Sequence, residues 1–382
     1  MKSKKQLLTM CSVLLIMVLL AACGSPAAAP TATPMPPTAT SIPPTATPIP
    51  NPTPTPVMLA APGKVATTFG EITSQALAGN LLGDPTTRTY YVLLPPDYAA
   101  SDKRYPVVYV LHWYTGGAAS LVEDFQRSYS AALEEGGAQE MIFVFPDADN
   151  RLGGSQYLSS PTIGDYETYL TQELVAHIDG AYRTLPDRVS RGITGCSMGG
   201  DGSMGLALKY PNVFSVAAPA SGTYDYSGDL ALASATEYLK SPPEDLSDLT
   251  STPWQTAYLL SWAAAAAANP EKPPFYLDMP VALVDGEAQI VPEVVEKMIA
   301  VDPVHDLDRY LSQPERLSAI LIYHGNRDAL VPIELARDFD RLLTDRGVEH
   351  EYLEATAGHC DFGYLGYMPI VQFMSDHLVG EE

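Results

Sequence analysis

Basic residues are scarce in this 382-residue chain: 22 Lys and Arg stand against 45 Asp and Glu, a formal charge of −23. That balance excludes nucleic acid as an expected partner, because little here would neutralise a phosphate backbone. Charge of either sign is sparse as well, at 18% of residues, so self-repulsion does not hold the chain open. With 46% hydrophobic residues the chain has enough to bury a sizeable core. Four cysteines are too few for a small disulfide scaffold. No carboxylate or histidine cluster has metal-ligand spacing, and neither a metal nor an organic cofactor is expected. Internal repeats are missing too. Proline, by contrast, is plentiful at 34 residues, and it is unevenly spread.

The first 62 residues read as an address and a tether. Met1–Lys5 carries three lysines, and Leu7–Leu20 is almost wholly apolar. A basic start followed by a short apolar run is a secretion signal, and the run is too short for a comfortable membrane span. Leu20-Ala21-Ala22-Cys23 resembles the bacterial lipobox, in which cleavage precedes a cysteine that is then lipidated. Residues 1–22 are therefore expected to be a signal peptide and Cys23 a lipid attachment site. The expected location is the extracellular face of the cell membrane, with the chain anchored rather than spanning. Residues 23–62 are rich in Pro, Thr and Ala, from Pro34 and Pro36 to Pro54 and Pro56. Proline fixes φ and lacks a donor, so such a stretch extends as polyproline II and forms no core.

From residue 63 onward strand and helix patterns alternate. Thr89–Leu94, Pro106–Leu111 and Met141–Phe145 read as strands, and the last two are continuous apolar runs suited to burial on both faces. Asp165–Tyr182 has helical spacing, and Val189–Thr194 runs into a glycine-rich turn before a helix over Gly199–Lys209. Val213–Pro219, Ala319–Tyr323 and His350–Leu353 read as later strands, with an amphipathic helix over Ile333–Leu343. The alternation predicts an α/β fold: a mostly parallel central sheet with helices on both faces, filling residues 63–382. Residues 224–318 break the rhythm and are expected to form an insertion or cap within it.

Gly195-Cys196-Ser197-Met198-Gly199-Gly200 fits G-x-S-x-G between a predicted strand and a predicted helix. In that setting the serine sits on a tight turn as a nucleophile, and glycines let neighbouring backbone approach. The helix amino end favours developing negative charge, and the Met198 amide becomes an oxyanion donor. A nucleophilic serine needs a base, and the base needs an orienting acid, in the chain order Ser, Asp/Glu, His. His112 and His177 precede the serine and fall out of that order. His359 follows the His350–Leu353 strand and is the candidate base. Asp328 hangs from the end of the Ala319–Tyr323 strand and is the candidate acid, with Asp306 and Asp361 as substitutes. His324 is read as structural, fixing the loop that carries Asp328.

These motifs together resemble a family of α/β-hydrolases, the Putative esterase family, which includes esterase D, bacterial feruloyl esterases and the mycolyltransferases. The resemblance runs from about Thr87 to the end of the chain. It also takes in Tyr166-Glu167-Thr168-Tyr169-Leu170, Glu173-Leu174 and Tyr182-Arg183-Thr184, with Glu167 read as structural. His112-Trp113-Tyr114-Thr115-Gly116-Gly117 looks like the H-G-x-x-G-G loop of serine esterases, with Trp113 in place of a glycine. It implies the Tyr114 amide as second oxyanion donor. Trp113 is either a substrate platform or loop packing. Cys196 precedes the nucleophile and Cys360 follows the base, which looks like the Cys-Ser…Asp…His-Cys signature of tannases and fungal-type feruloyl esterases. That likeness implies a Cys196–Cys360 disulfide; the alternative is two free thiols that pack. The family implies a serine carboxylic ester hydrolase without cofactor, acting on small esters or on feruloyl or acetyl esters of polysaccharide. Trp254, Trp262 and Tyr276 are candidate cap aromatics. Acyl transfer to a sugar or alcohol, a non-catalytic binding module and peptidase activity are the rival readings.

Overall fold

The structure is a computed structural model, and it describes residues 63–226, 238–285 and 287–381. The expected signal peptide, Cys23 and the tether lie outside the described residues. Among the described residues no helix is long and apolar enough to cross a membrane.

Eight strands form the main sheet: β1 Ala66–Thr73, β2 Thr87–Leu94, β3 Val107–Leu111, β4 Ile142–Pro146, β5 Arg191–Cys196, β6 Val216–Ala220, β7 Ala319–Gly325 and β8 Glu351–Ala355. Their spatial order is β1-β2-β4-β3-β5-β6-β7-β8. β1, β2 and β4 pair antiparallel in sequence, and every pair from β4–β3 through β7–β8 is parallel. The central strands β3, β5 and β6 are buried at every position, as their apolar or small-residue sequences require in a sheet covered on both faces. β1 was not expected. Its sequence ATTFGEIT alternates buried and exposed positions at the sheet edge, a weaker pattern than the central runs.

Helices cover both faces. α1 (Val122–Glu134) and α8 (Met368–His377) pack together over one face, in a core that includes Phe125, Tyr129, Phe143 and Ile370. On the other face lies a helix built from Tyr166–Thr168, a wider turn over Tyr169–Glu173, and Leu174–Ala181; it is α2 here. Beside it runs α3 (Met198–Lys209), which is buried on most of its circumference and packs on β5 and β6. Glu167 of α2 accepts from Lys209 Nζ at 2.9 Å and from Tyr210 Oη at 2.6 Å. It ties α2 to the end of α3, a structural task.

No described residue between β6 and β7 joins the main sheet. This excursion carries α4 (Trp254–Ala266), a two-stranded ribbon (Val281–Val284 with Glu287–Ile290), α5 (Pro292–Ile299) and α6 (Pro303–Ser312). Prolines at the start of α5 and α6 use the one place where a missing amide hydrogen costs a helix nothing. α6 packs against α3. α7 (Ile333–Asp345) then follows β7 and returns the chain to β8.

Candidate active site

The parallel strands β5, β7 and β8 point their carboxyl ends to one edge of the sheet, where open α/β sheets place their ligands. β5 ends at Cys196, and α3 begins at Met198. Ser197 makes the turn between them with φ 60° and ψ −122°, a region that side chains avoid. Sterics enforce the turn. A Cβ on Gly195 would meet the Leu111 carbonyl at 2.6 Å, and one on Gly199 would overlap that same carbonyl. The Ser197 amide donates to the Ala220 carbonyl at 3.0 Å, locking the turn to β6. The Met198 amide then belongs to the first turn of α3, where amides lack helical partners and can serve an anion.

His359 lies in the loop after β8. Its Nδ1 donates to Asp328 Oδ2 at 2.7 Å, which leaves Nε2 free to take a proton. Asp328 hangs from the loop after β7 with a fully buried side chain. Its Oδ1 accepts the amides of Leu330 at 2.9 Å and Val331 at 2.8 Å. Burial pushes this carboxyl upward, but the hydrogen bonds from His324, His359 and Val331 outweigh it and hold the group well below the usual carboxylate range. Asp328 is therefore a fixed anion beside the imidazole. His324 Nε2 donates to the Val331 carbonyl at 3.0 Å and stands 3.4 Å from Asp328 Oδ2, so it does hold the loop. Asp306 stands 4.0 Å from Lys209 instead, and Asp361 lines the cavity without bonding His359.

Ser197 and His359 line one cavity of about 500 Å³. No hydrogen bond joins their side chains in this structure. Their neighbours are covalently joined: Cys196 and Cys360 form a disulfide with Cα atoms 6.0 Å apart, across 164 positions of sequence. The two-thiol alternative is thereby set aside.

The loop after β3 is held by its own hydrogen bonds. The Thr115 amide donates to the Gly153 carbonyl at 2.6 Å and the Gly116 amide to the Trp113 carbonyl at 2.9 Å. The Tyr114 amide has no partner among the described residues. His112, out of order as a base, organises this loop. Its Nδ1 donates to the Trp113 carbonyl at 2.8 Å, and its Nε2 accepts the Ala148 amide at 3.0 Å. Burial lowers the pKa of His112, which suits the neutral tautomer these bonds require. Tyr157 Oη, unforeseen in the sequence, donates to the His112 carbonyl at 2.8 Å.

All three tryptophans of the protein, Trp113, Trp254 and Trp262, line the cavity. Tyr276 does not; its carbonyl accepts from the Thr162 hydroxyl. The tyrosines in the wall are Tyr114, Tyr226 and Tyr258. Sequence reading missed these last two because nothing local marks them. Behind them sit two carboxyls, Asp201 and Asp302. Burial raises Asp201 to about 6 and Asp302 to about 9. Among the described residues no group of three or more His, Cys, Asp or Glu could hold a metal ion.

Known proteins share this plan. An esterase of Mycobacterium tuberculosis, Esterase Rv1288, is 27% identical over 275 residues, covering 70% of this chain and 51% of its own. The chain thus spans about half the length of the curated relatives it matches. Among solved structures, a ferulic acid esterase superposes with a TM-score of 0.54 at 18% identity, covering 83% of this chain and 99% of its own. An S-formylglutathione hydrolase from Agrobacterium tumefaciens gives the same score and identity, over 85% and 99%. These likenesses establish the α/β-hydrolase-like fold. The profile of the family described as Putative esterase matches residues 85–360, a span holding the Ser197 turn, the Asp328 loop and His359. On that match, which covers most of its length, the chain belongs to the Putative esterase family.

Proposed function

We propose that this protein is a serine carboxylic ester hydrolase. The observation that carries the reading is the Asp328–His359 pair, 2.7 Å apart, opening onto the same cavity as a serine on a positive-φ turn. Ser197 Oγ attacks the ester carbonyl, and His359 Nε2 takes the serine proton. The Met198 and Tyr114 amides hold the oxyanion. As the intermediate collapses, the C–O bond to the alcohol breaks and His359 returns the proton to the leaving alkoxide. Water, deprotonated by the same imidazole, then attacks the acyl-enzyme, and Ser197 leaves with the proton. Asp328 stays ionised throughout and stabilises the imidazolium.

The tryptophan-lined wall favours esters with a bulky aromatic part, such as feruloyl esters of polysaccharide, over acetyl esters. Attachment through a lipid on Cys23, on the outer face of the membrane, completes the proposal; it rests on the Leu20–Cys23 sequence. Loss of labelled fatty acid from a Cys23→Ala chain checks that part.

The decisive experiment is hydrolysis of p-nitrophenyl acetate and of a feruloyl ester by the wild type beside Ser197→Ala. Turnover on the order of 10⁴-fold or more above the mutant is expected. A folded wild type that neither turns over nor reacts with a fluorophosphonate overturns the reading. A new ester formed when an alcohol is added would shift it to acyl transfer.

A further inference from the structure

The wall of the cavity that Ser197 lines contains a hydrogen-bonded relay whose polarity is fixed from behind. Asp201 lies on α3, four residues after Ser197, and its amide donates to the Ser197 carbonyl at 3.0 Å. Its Oδ1 accepts two backbone amides, Thr223 at 2.7 Å and Tyr224 at 2.8 Å. Its Oδ2 accepts Tyr226 Oη at 3.0 Å. The Tyr226 amide is held separately by Asp302 Oδ2 at 2.7 Å. Tyr226 Oη also touches Tyr258 Oη.

A phenol has one proton to give. Tyr226 gives its proton to the Asp201 carboxylate. In the contact between the two hydroxyls Tyr226 must therefore accept, and Tyr258 must donate. Tyr258 has then used its only proton, and its remaining lone pair is available toward the cavity it lines. The Tyr258 ring also meets Tyr114 edge-on, with centroids 4.9 Å apart, which fixes its place beside the oxyanion loop.

We propose that Tyr258 is a specificity-determining hydrogen-bond acceptor for a hydroxyl on the substrate, and that Asp201 is the positioning residue that sets its polarity through Tyr226. The inference rests on the ester hydrolase reading and names which esters that site prefers: those whose aromatic part carries a free hydroxyl. A methyl ether at the same place has no proton to give, and the Tyr258 oxygen would be left facing it unpaired.

Asp201→Asn tests the logic because it is nearly isosteric. The two backbone amides require the Asn oxygen to face them, so its NH₂ must face Tyr226. Tyr226 then accepts from Asn and donates to Tyr258, and Tyr258 turns its proton to the cavity. The wall changes from acceptor to donor without losing a contact.

The experiment measures binding of methyl 4-hydroxycinnamate and of its 4-methoxy counterpart by calorimetry at pH 7, in a Ser197→Ala background that cannot consume them. The hydroxyl compound is expected to bind about tenfold tighter. Adding Asp201→Asn, or separately Tyr258→Phe, should bring the two within about twofold. Thermal unfolding is followed alongside; a purely structural role for Asp201 would lower Tm and weaken both ligands equally, which overturns the proposal. Retained discrimination in Tyr258→Phe overturns it too, and that variant decides the matter if Asp201→Asn does not fold. Failure of the ester hydrolase reading appears elsewhere, as a wild type that turns over neither ester, and leaves this binding result standing or falling by itself.

Discussion

The sheet edge and the excursion between β6 and β7 build the same cavity by different means. At the edge, the backbone that carries each candidate catalytic group is constrained by something close in sequence or covalent, although the His359–Asp328 bond itself spans 31 positions. Ser197 is fixed by the glycines beside it, Asp328 by amides two and three residues on, and His359 by a neighbour that is disulfide-bonded. In the excursion, side chains are held by partners far away in sequence. Tyr226 is fixed by Asp201 and Asp302, and Ser261 of α4 donates to the Gly154 carbonyl at 2.7 Å. On the proposed reading, chemistry rests on stiff backbone constraints and selectivity on side-chain packing in the excursion, so a change of ligand there would leave the reaction at the edge in place.

The contrast is sharpest for the orienting acid. Asp328→Asn should lower kcat on the order of 10³–10⁴-fold, because an amide cannot hold the imidazole tautomer or balance imidazolium. Tyr258→Phe, acting on the wall, should lower it less than about tenfold on the same ester. Equal losses in steady-state kinetics would erase the division between edge and excursion. Next in size is the double change Cys196→Ala with Cys360→Ala. Opening so long a loop should destabilise the fold on the order of 3–5 kcal/mol in urea unfolding. A loss below about 1 kcal/mol would mean that packing alone holds the edge together.

Asp302 probes the excursion by pH. Its folded value near 9 lies above the ordinary carboxylate value, so the folded protein keeps a proton that the unfolded chain releases. Stability therefore falls as pH rises from about 4 to about 9. Asp302→Asn removes that dependence while still accepting the Tyr226 amide. It should stabilise by several kcal/mol at pH 8 and by almost nothing at pH 4. A benefit that grows toward acid would show that burial is not the cause. The smallest effect belongs to Trp254, which is 49% exposed. Trp254→Ala should leave stability within about 0.5 kcal/mol yet raise KM for an aromatic ester about threefold. An unchanged KM would remove Trp254 from the ligand's path.

Legibility followed the same division. β3, β4 and β7 announce themselves as apolar runs between turn residues, β5 is marked by the glycine-rich turn that follows it, and the candidate serine, acid and base each follow the end of a strand. β1 was hidden because an edge strand alternates, and α1 because Val122–Glu134 mixes apolar and acidic residues. Trp254 and Trp262 stood out by residue type, while Tyr276, singled out on the same ground, faces elsewhere. Asp201, Tyr226 and Tyr258 carry no local signature. Their meaning lies in hydrogen bonds across 25 and 32 positions, which only a folded chain displays. His112 precedes the serine in chain order, and its hydrogen bond to the Ala148 amide, which ties the loop after β3 to the loop after β4, is something a linear motif does not show.

The disulfide also bears on what happens when the chain is cut. A single protease nick between β6 and β7 would put Ser197 on one polypeptide and His359 on another. Cys196–Cys360 would still join them as one molecule. Such a nicked protein would migrate intact on a non-reducing gel and as two bands after reduction. It would keep Ser197 and His359, the proposed nucleophile and base, tethered to each other for as long as the bond stays oxidised. The same bridge makes the excursion a permissive place to open the chain, and a natural site for moving its termini.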